Sequence, residues 1–433
     1  MAGQLFSSRT ATVLSMIGVA VGLGNVWRFP YMMGRYGGSA FLFVYLGFTA
    51  CIAIPALSAE FALGRATRKG PVGAFTAALG PRAGAPIGLL LLFTILVADS
   101  YYVVVIANVV YSLWVGVAHG FSPASLPAIQ AGLADGAIQY PIAIGLLIAS
   151  LYVVQRGLKR GVERVSKLCV PFFWLTAVAL IVGALSLPGA FAKIGIFLRP
   201  DFSAMSPVDI FAAMGQAIYS LGLGGTFMLV YGGYLADDTS IAKTAVLTAV
   251  GNSGASLLTA LFIVPAALVF GLDLTQGPTL IFDTLPRLFY RLPLGEVLGG
   301  AFLVGLVMVA FLSNLAALEV LYTGTKDLPG GRIGGRRRLL VIGILEAALI
   351  LPSAVYPPLI AHLDLVFGSG MQALGCAFAV IALAWGLGTR VTLDQVFGSS
   401  EGRWRNTYFQ WLRWAVPAAL SLALFGYLYE VVK

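Results

Sequence analysis

Gly18-Val19-Ala20-Val21-Gly22-Leu23-Gly24-Asn25-Val26-Trp27-Arg28-Phe29-Pro30-Tyr31 lies within the first long apolar run of the chain. Glycine is permissive in backbone conformation and weakens a helix, so three of them in this run mark an interruption. A second run carries Gly215, Gly222, Gly224 and Gly225, and both runs hold Gly-Leu-Gly at mid-depth, at 22–24 and at 222–224. In lipid, an interrupted helix leaves backbone groups unpaired, which is tolerated where they line a cavity or bind something. Close packing on small residues is the plainer account of one such segment. Two of them in corresponding spans point instead to a transporter with inverted halves and a site at the breaks. Amides at a half-helix start favour an anionic group, and carbonyls at a half-helix end favour a cation. One break can thus hold a carboxylate, an amine and Na⁺ together.

The composition agrees. Of 433 residues, 59% are hydrophobic and 10% charged, less than half the charge of a soluble globular chain. Mean hydropathy is +0.91. So few charges cannot cover a soluble protein of this size. A cytosolic enzyme, a disordered chain and a nucleic-acid binder are excluded despite a net charge of +9. The apolar runs are continuous rather than alternating, which excludes a β-barrel. Cys51, Cys169 and Cys376 sit in apolar runs without paired or metal-ligand spacing, and read as small core hydrophobes. Met1 to Thr10 is mostly polar and the first apolar run is full length, so no cleavable signal is expected.

Eleven spans are expected, at 10–34, 39–63, 86–117, 138–155, 163–187, 207–234, 240–270, 293–324, 337–353, 359–387 and 409–430. With the N-terminus in the cytoplasm, the inner segments hold 20 of the 27 Lys and Arg residues, which satisfies the positive-inside rule. The C-terminus then lies outside. The chain reads as a single all-α transmembrane domain over 1–433, with inverted repeats at about 9–187 and 207–387 and an extra helix at about 409–430.

The stretch Gly22-Leu23-Gly24-Asn25-Val26-Trp27-Arg28-Phe29-Pro30-Tyr31 resembles the signature of the neurotransmitter:sodium symporter family. Glu60-Phe61-Ala62-Leu63-Gly64-Arg65, Ser100-Tyr101-Tyr102 and Gly215-Gln216-Ala217-Ile218-Tyr219-Ser220-Leu221-Gly222-Leu223-Gly224 extend the resemblance, which covers essentially the whole chain. It implies the leucine-transporter fold, a 5+5 inverted repeat with helices 1 and 6 broken, and Na⁺-coupled uptake by alternating access in a bacterial cytoplasmic membrane. Twelve spans are usual in the family, and some bacterial members have eleven.

The resemblance implies a first sodium site from the Ala20 carbonyl, Asn25, Ser220, Asn252 and the substrate carboxylate; an all-oxygen shell suits a hard cation. It implies a second from the carbonyls of Gly18, Val21 and Val309 with two adjacent hydroxyls in span 8. Here Ser313 supplies one hydroxyl, while the other position is Leu312, which has no side-chain oxygen. Either Asn314 substitutes or the second site is weakened. For chloride the matching positions are Tyr45, Gln216, Ser220, Asn252 and Ser256. The runs 216–234 and 241–270 contain no Asp or Glu, so a bound Cl⁻ is expected to supply the negative charge that a cation site in the membrane requires. Interhelical hydrogen bonding is the alternative role for these hydroxyls.

Where amine transporters of the family have an Asp in the first break, this chain has Gly22. The resemblance then implies an amino acid as substrate. Its carboxylate is expected against the Leu23 and Gly24 amides and the Tyr102 hydroxyl. Its amine is expected at the carbonyls of Ala20, Tyr219, Ser220 and Gly222, under a lid of Tyr102 and Tyr219. Side-chain selection falls to Val19, Ala98, Gly222, Gly225, Ser313 and Ala317. Small residues at 98, 225 and 317 suggest room for a large hydrophobic or aromatic neutral amino acid, unless a neighbouring side chain fills it; a β- or γ-amino acid or taurine is the alternative.

Arg28 and Asp364 match the outer gate of the family. At the inner gate Asp327 matches, but the arginine position reads Gly3 and the neighbouring tryptophan position Phe6, which leaves Arg9 or Tyr234 as substitutes. Gly161 and Pro171 match a pattern at which span 5 unwinds in some members, and proline eases such unwinding. Glu60 is expected to cap broken backbone near span 6, and Glu319 and Glu346 are intramembrane acids. A channel or receptor on the same fold is a competing class. An enzyme is not expected: His119 and His362 lie near outer loops, and no metal-ligand spacing appears. A small-molecule substrate, Na⁺ and Cl⁻ are the expected partners, with the protein a monomer or weak homodimer.

Overall fold

The computed structural model describes residues 5–274, 277, 280–328, 334–398 and 402–432. Gly3, and two of the cations used for orientation, Arg332 and Lys433, lie outside the described residues. Among these residues, eight helices are long and apolar enough to cross a membrane alone, and the bent pair of span 1 makes nine. Span 6 adds another in two pieces, each too short to cross by itself. Span 11 runs through Trp404–Gln410, Trp411–Ala415 and Val416–Val432.

Span 1 starts at Ser8, whose hydroxyl accepts the Ala11 amide at 3.1 Å, an ordinary N-cap. It runs Arg9–Ala20, breaks at Val21 and Gly22, and resumes at Leu23–Arg35 with a bend of 71°. Span 2 is Ser39–Thr67. Span 3 belongs to a longer helix, Pro71–His119, that turns a corner at Gly80, where φ is +79°. Span 4 is Gly136–Gln155 and span 5 is Leu158–Leu185. Gly161 falls in a π turn and Pro171 inside continuous helix, so span 5 is wound here.

Span 6 begins at Pro207 behind a capping box of Ser206 and Asp209 and ends at Ser220; its second half is Phe227–Gly232. Between them Gly222 (φ +63°) and Gly224 (φ +80°) are left-handed. A Cβ on Gly224 would fall 1.7 Å from the Gln372 carbonyl oxygen of span 10, so glycine is required twice over. Span 7 is Ile241–Phe270, span 8 is Gly295–Asp327, span 9 is Gly335–Val355 and span 10 is Pro358–Phe397. Span 8 packs against both span 3 and span 5. Small residues bring backbones together in membranes: a Cβ on Gly64 would lie 1.8 Å from the Leu229 carbonyl oxygen, so span 2 meets the second half of span 6 closely. Glu60, one turn earlier, accepts the Gly224 amide at 2.6 Å and so holds the break of span 6 in place, as expected.

Candidate functional site

The two breaks face each other across a cavity of about 110 Å³. Val19, Ala20, Leu23, Gly24, Ala98, Tyr102, Tyr219, Ser220, Gly222, Ser313 and Ala317 all line it. Asp99, Phe227 and Gln372 line it as well; the sequence reading did not include them. At the first break the Gly22 amide donates to Asn25 Oδ1 at 2.9 Å, which starts the second half-helix and leaves the amides beyond it at the cavity. The Tyr102 hydroxyl faces the Leu23 backbone and the Ser313 hydroxyl. A Cβ on Gly22 would lie 3.0 Å from that tyrosine hydroxyl, and one on Gly24 would lie 2.8 Å from the Tyr219 ring. Both glycines therefore let the lid tyrosines close onto the backbone.

Gly225 does not enlarge the cavity. Its missing Cβ would stand 2.2 Å from the Phe227 ring, and it is Phe227 that lines the cavity. The ring two residues along turns back into the space that the glycine leaves.

The first-sodium residues come together. Asn252 Oδ1 lies 3.2 Å from the Ala20 carbonyl oxygen and 2.9 Å from that of Ser220. Asn25 donates to the same Oδ1 at 2.8 Å, which sets the Asn252 amide oxygen toward the two carbonyls. In that orientation three acceptor oxygens converge, a cluster that a hard cation would satisfy; with the Asn252 amide turned over, its nitrogen donates to both carbonyls instead.

The second set is incomplete. The Ser313 hydroxyl donates to the Val19 carbonyl at 3.3 Å. A Leu312 methyl occupies the space over Gly18, 2.8 Å from where a Cβ would be. Asn314 does not substitute: its amide donates to both Asp99 oxygens at 2.9 Å, and its oxygen accepts from Ser150. Leu312 thus sets an aliphatic side chain beside Gly18, where the set expected with Val21 and Val309 needs a hydroxyl.

At the chloride positions, the Tyr45 hydroxyl is 3.3 Å from Ser220 Oγ and 3.1 Å from Ser253 Oγ. Gln216 is wholly buried, and among the described residues neither its amide nitrogen nor its oxygen finds a partner. A buried donor without an acceptor is costly, and an anion beside Tyr45 and Ser220 would satisfy it. Ser256 stands apart from that group, accepting from Asn25 at 2.8 Å. Ser253 was not expected; its place one residue from Asn252 gave no separate signal.

The gates differ from the expected ion pairs. Arg28 lies over the Tyr219 ring, 4.1 Å from its centroid, and donates to Ser369 at 3.3 Å. Asp364 accepts from Tyr101 at 3.0 Å. Among the described residues no ion pair within contact distance joins Arg28 to Asp364, although Arg28 is the cation whose charge acts on Asp364. Asp327 accepts the Gly73 amide at 3.1 Å, so it fastens the first turn of the helix Pro71–His119. The N-terminal segment ties to spans 5 and 6. The Phe6 amide donates to the Tyr234 carbonyl at 3.2 Å, and the Tyr234 hydroxyl donates to Glu319. Ser7 gives Glu163 of span 5 two bonds, from its amide at 2.8 Å and its hydroxyl at 2.5 Å. Glu163 was missed because its partner is 156 residues away.

The model of the sodium:neurotransmitter symporter family matches residues 4–122 and 119–426. An uncharacterized sodium-dependent transporter of Bacillus subtilis, YhdH, is 32% identical over 324 residues, 73% of this chain and 71% of that protein. The human sodium- and chloride-dependent GABA transporter 2 is 24% identical, over 99% of this chain and 80% of its own length. The crystal structure of MhsT in complex with L-phenylalanine superposes with a TM-score of 0.88 at 27% identity, covering 98% of this chain and 99% of that one. The chain belongs to the sodium:neurotransmitter symporter family. It is a multi-pass membrane transporter, not an enzyme, and sodium-dependent.

Proposed function

From that membership, we propose that the protein imports neutral amino acids by Na⁺-coupled, Cl⁻-assisted alternating access, with large hydrophobic or aromatic side chains preferred. The observation that carries this reading is the first break. Gly22 places no acid where an amine-only substrate would need one, and the Leu23 and Gly24 amides begin a half-helix beside the Tyr102 hydroxyl. Such a half-helix start favours a carboxylate. The substrate carboxylate there becomes an oxygen of the first sodium shell, with Ala20, Asn25, Ser220 and Asn252, so substrate and Na⁺ bind each other's sites into shape. Cl⁻ at Tyr45, Gln216 and Ser220 supplies the countercharge. MhsT binds L-phenylalanine, and this chain accommodates a ring of that size once Phe227 rotates away.

The small cavity gives a second reading. With Phe227 turned in, about 110 Å³ suits a thin zwitterion such as a β- or γ-amino acid or taurine. In both readings the inverted repeats span about 9–187 and 207–387, and the N-terminus lies in the cytoplasm and the C-terminus outside a bacterial cytoplasmic membrane. The test is equilibrium binding of labelled L-phenylalanine, L-leucine, γ-aminobutyrate and taurine to purified protein, with Na⁺ and Cl⁻ replaced singly. Binding of an α-amino acid that needs both ions supports the first reading. Binding of taurine or γ-aminobutyrate alone supports the second, and ligand binding indifferent to Na⁺ contradicts both.

A further inference from the structure

Among the described residues, three acids sit inside the spans without a cation: Glu60, which the Gly224 amide occupies, and Asp99 and Glu346. Asp99 of span 3 is 3% exposed and Glu346 of span 9 is 0% exposed. Among the described residues neither takes part in an ion pair. Asn314 of span 8 donates to both Asp99 oxygens, and Ser150 of span 4 fixes that amide by donating to its oxygen. Glu346 has no such support: both its oxygens are buried without a hydrogen-bond partner. The charged group that acts on it is Asp99. Spans 3, 4, 8 and 9 pack around the pair. Facing it from these helices are the Asn314 amide, the Ser150 hydroxyl and, among titratable groups, the Tyr102 hydroxyl. No Lys, Arg or His acts on either acid.

We propose that Asp99 and Glu346 form a proton-binding site, with one proton held by the pair, that is loaded and unloaded during transport. Two like charges in a membrane interior repel, and each alone is expensive to bury. A proton on Glu346 removes one charge and converts an orphaned acceptor into a donor. Asn314 already serves Asp99 with its donors, so what the pair lacks is one positive charge of the smallest size. The site adjoins the cavity on two helices. Asp99 follows Ala98 and itself reaches the cavity. Asn314 follows Ser313, whose hydroxyl holds the Val19 carbonyl at the first break. Movement of span 1 on binding Na⁺ or substrate therefore pulls on the peptide that carries Asn314. Neither acid hydrogen-bonds a residue of the sodium sets among the described residues. The same helix turn carries Leu312, where the second sodium lacks its oxygen; the proton is a second coupled cation in a chain built for one sodium.

The test needs no substrate. Purified full-length protein in lipid nanodiscs is followed by infrared spectroscopy of the carbonyl stretch of protonated carboxylic acids. The titration is run against pH, and separately against Na⁺ at fixed pH, for wild type, Glu346→Gln and Asp99→Asn. Apparent Na⁺ affinity is read from tryptophan fluorescence over roughly pH 6 to 9, because linkage makes proton and Na⁺ binding change each other equally. The expected result is a protonated-acid band near neutral pH that disappears at high pH, is lost or moved in both variants, and accompanies a several-fold pH dependence of Na⁺ affinity that Glu346→Gln abolishes. If a variant fails to fold, the wild-type titration and its Na⁺ linkage decide alone. A wild type without the band overturns the proposal, as does a band unchanged in both variants. A band removed by Na⁺ at constant pH with no response to pH also overturns it, and identifies a sodium site instead.

Discussion

Replacing Phe227 by alanine should enlarge the cavity and favour the largest side chains over smaller ones. The ring fills the room beside Gly225, where a Cβ would meet it at 2.2 Å, and it comes within 3.5 Å of a Cβ on Gly222. It stands at the start of the short helix Phe227–Gly232 and is only half-buried, so truncation should cost less than the ~3–5 kcal/mol of a core Phe→Ala change. A substrate ring entering the vacated space gains burial equivalent to two or three methylenes. At about 0.8 kcal/mol each, that is about 2 kcal/mol, or about 30-fold in affinity. The assay is competition of unlabelled L-tryptophan and L-leucine against a labelled amino acid, on wild type and Phe227→Ala in saturating NaCl. Tryptophan should improve by about that factor relative to leucine, which has little to reach the new space. Equal shifts for both, or a loss confined to tryptophan, would refute the view that Phe227 sets the size limit.

The remaining expectations concern ions and the inner closure. Leu312→Thr restores the missing hydroxyl of the second sodium set over Gly18, so the Hill coefficient for Na⁺ in binding should rise from about one toward two; an unchanged coefficient with folded protein would contradict this account of Leu312. Ser256→Glu places a fixed carboxylate beside Asn25, so substrate binding should become independent of Cl⁻ when gluconate replaces it; retained Cl⁻ dependence would mean that the anion charge acts elsewhere. Glu163→Gln removes the charged acceptor of the Ser7 clamp, a hydrogen bond worth about 1.5–3 kcal/mol. In a background lacking the native cysteines, a cysteine at Ser166, buried beside Gly18, should then react with a water-soluble maleimide at least about tenfold faster. An equal rate would show that the N-terminal clamp does not hold the inner side closed.

The interruptions of spans 1 and 6 were legible because they are local: glycine and its spacing report backbone that a helix cannot use. The cavity lining followed from them, since residues flanking a break have few other places to face. What was not legible depends on pairs far apart in the chain. Gly225 suggested room, but Phe227 folds back into it, a choice decided by the left-handed Gly222 and Gly224. Asn314 had the composition of a sodium ligand, yet Asp99, 215 residues away, claims its amide. At the outer gate Arg28 acts on Asp364 through space, while their direct partners are the Tyr219 ring and Tyr101. Asp327 likewise found a nearer backbone amide. In each case the residue types were right for the chemistry, and the competing partner came from another helix.

The central claim, that inward Na⁺ flow drives accumulation through the cavity between the two breaks, is tested most directly in sealed proteoliposomes. Labelled L-phenylalanine is supplied outside in NaCl, and a sodium ionophore is added after the plateau. The account predicts accumulation above the external concentration that collapses on ionophore addition and is absent when Asn25→Ala removes a ligand of the first sodium site. Uptake that only equilibrates, or that persists unchanged once the Na⁺ gradient is gone, would contradict it.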